Sequence, residues 1–334
     1  MRIAVYLPSS IPESFRVYYQ NVSAHLKSRV ELVEFSDVSI CPPDCSLVWD
    51  IRSGGGHPPL KPLLDLAIPM VVTVHGVAPL AIPLREYCAG LREAYTVFVT
   101  NIAKRKAWKE LVFNSRLPTI IAVSEFGKKS IQEQLGVPGD AIHVCHHGVN
   151  HELYSSKQSG EMSDYLLHIS NGEKRKNIAR IIAAYESLDR DRAKKLILKV
   201  PPHIKEKFGP VEGVQYITER LSDIEVSALY KGAYAYVFPS LYEGFGLPVL
   251  ESMASGTPVI TSSDSACSEV GGKAVIAVDP KSVPKITDAL EKLVTDQSYY
   301  SECCSASQQQ ASKFSWSKSA QEHLEVFRST LNQC

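Results

Sequence analysis

Two glutamates eight positions apart bracket a glycine turn within residues 239–260, PSLYEGFGLPVLESMASGTPVI. Glu243, Gly244, Phe245, Gly246 and Leu247 come after an apolar run at residues 233–238 that reads as a buried strand. Pro248 suits the first turn of a helix, where its missing amide hydrogen is not needed. Glu251 falls inside that helix, which Gly256 and Pro258 end before Val259-Ile260 begin the next strand. A glycine-containing turn lets backbone amides approach a ligand closely. The helix start behind it carries unpaired N–H groups and the positive end of the macrodipole, which together favour an anion. Glu243 in the turn and Glu251 in the helix can each accept hydrogen bonds from hydroxyls. Two such acceptors around a phosphate-friendly helix start suit a sugar joined to a phosphate. An ordinary strand–turn–helix gives the same pattern, so local physics leaves both readings open.

Two other positions have matching chemistry. Lys176 lies just before a helix start in NGEKRKNIARI, with Asn177 as a candidate cap. It can place a positive charge on a phosphate, although Lys174 and Arg175 beside it also fit a solvated charge run. His75 ends the apolar run 68–74, IPMVVTV, which reads as a strand covered on both faces of a parallel sheet. The carboxyl ends of such strands line the crevice where ligands bind. A lone histidine there is more often structural.

The elements that must carry these residues alternate between strand and helix. Strands are expected at residues 2–7, 30–35, 47–51, 68–74, 96–100, 118–123 and 141–145, with a helix over 15–26 and another after Ser124. A polar stretch at residues 155–163, SSKQSGEMS, marks a linker. A second series follows: strands at 165–169, 195–200, 214–216, 233–238 and 274–278, and helices from Asn177, from Ser222-Asp223 and over 283–293. Residues 301–312 are small and polar with weak periodicity, and Phe314-Ser315-Trp316 precede a last helix. This rhythm argues for an α/β protein with mostly parallel sheets.

The chain has 334 residues, 44% hydrophobic and 22% charged, which suits two soluble domains. A formal net charge of +0 argues against a bulk electrostatic binder of nucleic acid. The opening MRIAVYLPSS is not a secretory leader. No stretch reaches the roughly 18 apolar residues of a membrane-spanning helix. The eight scattered cysteines do not form a disulfide framework, so a reduced, cytoplasmic protein is expected.

Residues 239–260 resemble the E-x7-E signature of retaining glycosyltransferases of the GT-B fold, in the nucleotide-sugar-dependent family 4, with an overall likeness to mannosyltransferases. The resemblance implies two Rossmann-like domains facing across a deep cleft. Residues 1–155 would form the acceptor-side domain and 156–314 the nucleotide-sugar domain, with the last helix, 315–334, packing back on the first. The RKN of Arg175-Lys176-Asn177 is similar to the family loop whose lysine grips the donor diphosphate. VVTVHG is similar to the segment whose histidine meets the transferred sugar. By that likeness His75, Lys176 and Glu243 are the catalytic candidates. Glu243 would hold sugar hydroxyls and Glu251 the ribose hydroxyls. Arg175, Lys176 and the backbone of Gly244, Phe245, Gly246 and Leu247 would hold the phosphates.

The resemblance further implies a GDP- or UDP-sugar donor, GDP-mannose first, and a glycan or lipid-linked glycan acceptor. No cofactor is implied. No metal is implied either, because no Asp-x-Asp pair stands where one would be needed. The basic segment Lys104 to Lys109 with Trp108, followed by Leu111, Val112 and Phe113, could rest on the cytoplasmic face of an anionic membrane. A solvated helix with one buried face is the simpler alternative.

The chain departs from the family pattern in places. Residues 170–173 lack the arginine that many members carry before the lysine. Pro8 to Pro12 stand where many have a glycine pair, and Gly54 to Gly56, beside Arg52 and His57, could replace it. Ser268 replaces a proline before Glu269, which reads as structural. These departures keep a non-catalytic nucleotide-sugar or glycan binding module as the alternative. A phosphorylase or synthase on the same fold would need a longer chain. A nicotinamide enzyme would need a Gly-x-Gly-x-x-Gly turn after the first strand, which is absent.

Overall fold

The computed structural model describes residues 1–154, 164–189 and 193–332. The chain divides into two compact units, Met1–Gly148 with Phe314–Cys334, and Val149–Lys313. The division falls a few residues ahead of the expected 155/156 boundary, and the expected linker at 155–163 lies outside the described residues.

The first unit runs β1 (Arg2–Tyr6), α1 (Glu13–Leu26), β2 (Glu31–Phe35), β3 (Leu47–Ser53), α2 (Lys61–Leu64), β4 (Met70–Val74), α3 (Ala78–Ala81), α4 (Leu84–Tyr87), α5 (Leu91–Phe113), β5 (Thr119–Ala122), α6 (Glu125–Leu135) and β6 (Ile142–Val144). Its strands form one parallel sheet in the order β2-β1-β3-β4-β5-β6. All of β4 is buried, as a strand covered on both faces requires. Ser124 caps α6 by accepting from the Gly127 amide at 2.8 Å, and Gly136 ends it in the left-handed region.

The second unit runs β7 (Tyr165–Ile169), α7 (Ile178–Glu186), β8 (Lys195–Lys199), α8 (Pro202–Phe208), β9 (Val214–Ile217), α9 (Asp223–Gly232), β10 (Ala235–Phe238), α10 (Leu247–Ala254), β11 (Val259–Ser262), α11 (Ala266–Gly271), β12 (Ile276–Val278), α12 (Val283–Thr295) and α13 (Gln297–Ala311). Its six parallel strands lie in the order β12-β11-β10-β7-β8-β9. Read from the β9 edge, this is the Rossmann order, with the reversal between β7 and β10. Leu166, Ile181, Tyr185, Leu198, Val237 and Ile260 are among the side chains of its core.

The last helix, α14 (Trp316–Asn332), belongs to the first unit. It packs on α1 and on the β4 and β5 side of the sheet. Gly148 meets its start so closely that a Cβ would lie 2.1 Å from the Trp316 amide nitrogen, so no side chain is possible there. A hydrogen-bond chain ties α14 into the core. Trp49 Nε1 donates to Thr73 Oγ1 at 3.0 Å, and Thr73 Oγ1 lies 3.1 Å from the Tyr18 hydroxyl. His323 Nδ1 lies 2.7 Å from the Ser319 carbonyl, which can only accept, so Nδ1 carries the proton. His323 Nε2 must then accept from the Tyr18 hydroxyl at 2.5 Å. Every member of the chain is satisfied, which makes a buried polar network favourable rather than costly.

Two expectations fail for identifiable reasons, and one stretch without an assigned element proves helical. Residues 96–100 are not a strand but the middle of α5. Their β-branched and aromatic side chains suit a strand, but Asn101, Lys104 and Trp108 bury one side of a continuous helix and tertiary packing overrides local preference. Residues 301–311, small and polar, lie in α13, whose Cys303, Ser307 and Ala311 recur at i, i+4 and i+8 and allow close packing without an apolar signal. Asn177 does not cap α7 with its side chain. It adopts φ +66°, and its amide is bound elsewhere.

Candidate functional site

The reversal in the second sheet sets the site. β7 and β10 are hydrogen-bonded neighbours although 67 residues separate Lys176 from Glu243, and the loops leaving their carboxyl ends meet. Leu241 N donates to the Arg175 carbonyl at 2.8 Å, joining the two loops through their backbones. Asn177 Nδ2 donates to the carbonyls of Pro239 at 2.8 Å and Pro280 at 2.7 Å. One amide therefore fastens three loops, those after β7, β10 and β12. That latch explains why a non-glycine residue accepts a left-handed backbone here. Behind it, buried His168 bridges the Val237 carbonyl and Ser170 Oγ, each at 2.8 Å.

Three donors converge on one oxygen of Glu243. Lys176 Nζ lies 2.7 Å from Oε1, Arg175 Nη1 2.8 Å and Ser240 Oγ 2.6 Å. Burial pushes the Glu243 carboxyl up, but Lys176 and Arg175 outweigh it and hold the group at about 2, with help from the Ser240 hydroxyl. Glu243 is therefore a fixed anion with Oε1 clamped by three donors. Arg175 also binds Glu173 Oε2 at 2.6 Å and the Tyr242 carbonyl at 2.8 Å. Desolvation pulls its pKa down, but the two carboxylates more than offset that and raise it.

Gly246 begins α10 at φ +109°, and a Cβ there would come within 2.9 Å of Cys267 Sγ. Both constraints require glycine. Pro248 lies in the first turn, and the amides at such a helix start are left unpaired by the helix itself. The Phe245 ring is buried, so that residue can offer a ligand only its backbone. Glu251 lies further along the helix. Burial pushes its carboxyl up to about 7, while hydrogen bonds from Tyr230 and Tyr154 oppose the rise. Tyr236 of β10 lies near both glutamates, since each adds to the rise in its pKa after burial itself.

His75, in the first unit, stacks on Phe15 with ring centroids 3.9 Å apart and meets the edge of Tyr18. Its Nε2 lies 2.9 Å from the Ile51 carbonyl, which fixes the proton on Nε2 and leaves Nδ1 as an acceptor. Burial pulls its pKa down to about 4, so the ring is neutral at neutral pH. Around the carboxyl ends of β1 and β3, buried Asp50 faces Arg52 at 3.4 Å, and the Arg52 guanidinium lies over Tyr6.

Arg175, Lys176 and Glu243 are thus in direct contact, and Gly246 opens the helix that carries Glu251. Sequence reasoning missed Ser240, the Asn177 latch and the tyrosines around Glu251. Ser240 lies three residues before Glu243 and was visible. Tyr154 and Tyr230 carry no motif and are brought to Glu251 only by folding.

Residues 151–310 match the family described as Glycosyl transferases group 1, and residues 48–153 match Glycosyltransferase Family 4. The chain belongs to this glycosyltransferase family. The family 4 chain is 30% identical over 234 residues to the serotype-specific mannosyltransferase WbdA of Escherichia coli, a match covering 64% of this chain and 29% of that protein. It is 28% identical over 230 residues to the O-antigen chain mannosyltransferase B of Escherichia coli, covering 63% and 60%. The chain thus matches less than a third of the length of WbdA. Among solved structures, Anabaena Alr3699/HepE in complex with UDP and glucose superposes with a TM-score of 0.71 at 15% identity, covering 98% of this chain and 100% of that one. The two parallel α/β units of the family 4 chain are those of a GT-B fold.

Proposed function

We propose that the protein is a retaining glycosyltransferase. It moves a hexose from a nucleotide-diphosphate sugar, GDP-mannose first and a UDP-sugar second, to a glycan or lipid-linked glycan acceptor. The observation that carries this is the Lys176–Glu243 contact at the reversal of a Rossmann sheet, beside the helix opened by Gly246. Relatives named as mannosyltransferases support the sugar, and a structural neighbour solved with UDP supports a nucleotide donor.

In this reading Lys176 turns from Glu243 to the donor diphosphate, while Arg175 and Ser240 keep Glu243 in place. Glu243 accepts from a sugar hydroxyl, and Glu251 accepts from the ribose. His75 Nδ1 accepts from another sugar hydroxyl, and the neutral ring places no positive charge near the forming oxocarbenium-like centre. The bond between the anomeric carbon and the diphosphate oxygen breaks. The acceptor hydroxyl then attacks from the same face and gives its proton to a leaving phosphate oxygen. Lys176 and the amides at the start of α10 stabilise the growing negative charge. These groups can do that work without a metal ion.

A thermal-shift screen over GDP, UDP and ADP, followed by transfer assays with the matching sugar nucleotides, tests the proposal. Stabilisation by one base and turnover that Lys176→Ala lowers by about 10²–10³-fold are expected. Stabilisation without turnover for any donor would favour the binding module. No stabilisation by any nucleotide would end both readings.

A further inference from the structure

Glu251 belongs to a chain of side-chain hydroxyls built within the second unit. In the turn at residues 150–154, Asn150 Oδ1 accepts from the Glu152 and Leu153 amides, each at 3.1 Å, and the Tyr154 amide donates to the Asn150 carbonyl at 3.0 Å. α9 fastens this turn, with Ser227 Oγ and Lys231 Nζ donating to the Leu153 carbonyl at 2.6 and 2.8 Å. Tyr154 is thereby set against Tyr230 of α9, edge to face, with ring centroids 6.0 Å apart. Both hydroxyls hydrogen-bond Glu251. Tyr230 also hydrogen-bonds Tyr236 of β10, whose ring centroid is 5.2 Å away, and the Tyr236 hydroxyl donates to the Ile169 carbonyl at 3.1 Å. The three tyrosines are buried, while Glu251 keeps part of its surface open to a ligand.

Counting protons gives the state of Glu251. A phenol has one proton to donate, and a carbonyl can only accept. From Glu251 through Tyr230 and Tyr236 to the Ile169 carbonyl there are three hydrogen bonds but two phenolic protons. The carbonyl takes the proton of Tyr236, and Tyr236 takes that of Tyr230. The third bond stands only if Glu251 is the acid and donates to Tyr230. An ionised Glu251 would take the Tyr230 proton and leave the chain one bond short, and a buried polar network is favourable only when complete.

The surroundings act in the same direction. Burial raises the Glu251 carboxyl to about 7 against the Tyr230 and Tyr154 bonds, and Asp223 at the start of α9 adds to the rise. Glu243, beyond Tyr236, adds to the rise of the Tyr236 hydroxyl. α11 brings to the start of α10 only the Cys267 thiol, which burial keeps protonated, and α13 brings the uncharged Gln308 against Gly256 at its end.

We infer that Tyr230 and Tyr236 hold Glu251 as a carboxylic acid in the free protein, and that a ribose diol binds by ionising it, so that nucleotide binding releases a proton to solvent. The two ribose hydroxyls donate more strongly to a carboxylate than to a neutral acid, which offsets the bond lost from the chain. Tyr154 donates to the carboxyl in either state. The inference rests on Glu251 meeting the ribose, as proposed above.

Calorimetry of the full chain with the sugar nucleotide of the base selected by thermal shift, GDP-mannose first, tests it in buffers of different ionisation enthalpy. The diphosphate of a sugar nucleotide is a diester and does not titrate near neutral pH. Close to one proton should be released at about pH 6 and almost none at about pH 8.5, with Kd falling as pH rises. Glu251→Gln should remove both effects. Two tyrosine variants should move Kd in opposite directions at about pH 6, each by roughly three- to fivefold, and far less at about pH 8.5. Tyr154→Phe removes a donor to the carboxylate and should weaken binding. Tyr236→Phe frees the Tyr230 proton for Glu251 and should tighten it. A merely structural role would weaken binding in both variants at every pH, and that result would overturn the inference. So would wild-type binding with no proton release at about pH 6, a measurement that needs no variant to fold. Absence of sugar-nucleotide binding at every pH would instead overturn the donor reading and this inference with it.

Discussion

Lys176 Nζ and Glu243 Oε1 lie 2.7 Å apart, and Arg175 reaches the same oxygen at 2.8 Å. Two cations on one carboxylate oxygen give the lysine an exchangeable partner. It can leave for a phosphate while the glutamate stays ionised and held. Lys176→Ala should therefore keep the fold, because Arg175 and Ser240 still bind Glu243, yet lower kcat/KM by about 10²–10³-fold. Steady-state kinetics beside a thermal melt separates the two effects. A variant of near wild-type kcat/KM would remove Lys176 from the reaction.

Asn177 should matter for stability rather than chemistry. Asn177→Ala leaves the Pro239 and Pro280 carbonyls without their donor and puts a Cβ residue at φ +66° with no compensating hydrogen bond. A loss of about 2–4 kcal/mol is expected in urea unfolding. Asn177→Gly should recover only the backbone part. Equal stability of both variants and the wild type would show that the latch carries nothing.

At Gly246 the constraint is steric as well as conformational. Gly246→Ala should cost about 1–3 kcal/mol and displace the turn that presents the first amides of α10. Nucleotide affinity should fall with it. An alanine variant of unchanged melting temperature and affinity would contradict the assigned geometry.

Glu251 predicts a pH dependence. Its folded pKa, about 7, lies above the usual carboxyl value, so the folded chain binds more protons than the unfolded one in between. This contribution is fully present below about 4.5 and is lost as pH rises to 7, by a few kcal/mol at most. Glu251→Gln should flatten the melting temperature across that window and be relatively stabilising above it. A parallel pH curve for the variant would count against a buried, raised carboxyl.

The neutral histidines act in the opposite direction. Burial holds His75, His168 and His323 at about 4, below the ordinary imidazole value. The unfolded chain binds more protons between about 4 and 6.5, so stability should fall as pH drops through that range. His323→Ala should lower the acid sensitivity and cost about 2–4 kcal/mol at neutral pH, since it removes the acceptor of the Tyr18 hydroxyl and leaves a cavity. Acid melts of wild type and variant measure both.

The amino-acid sequence alone determined the α/β alternation, the glycine required at Gly246, the proline in the first turn of α10 and the Ser124 cap, because each is set by the backbone within a few residues. It also carried the family likeness through Lys176, Glu243 and Glu251. Folding decided the rest. Residues 96–100 and 301–311 became helix because burial of Trp108 and of Ala311 outweighs local preference. Lys176 reached Glu243 because β7 and β10 are neighbours in the sheet, a pairing of distant strands that no local pattern encodes. Tyr154 and Tyr230 reached Glu251 in the same way. The sides of α5 were settled by which residues found partners: Lys104 and Trp108 hydrogen-bond the carbonyls of Gly55 and Gly56, and Tyr95, Phe98 and Ile102 were left to solvent.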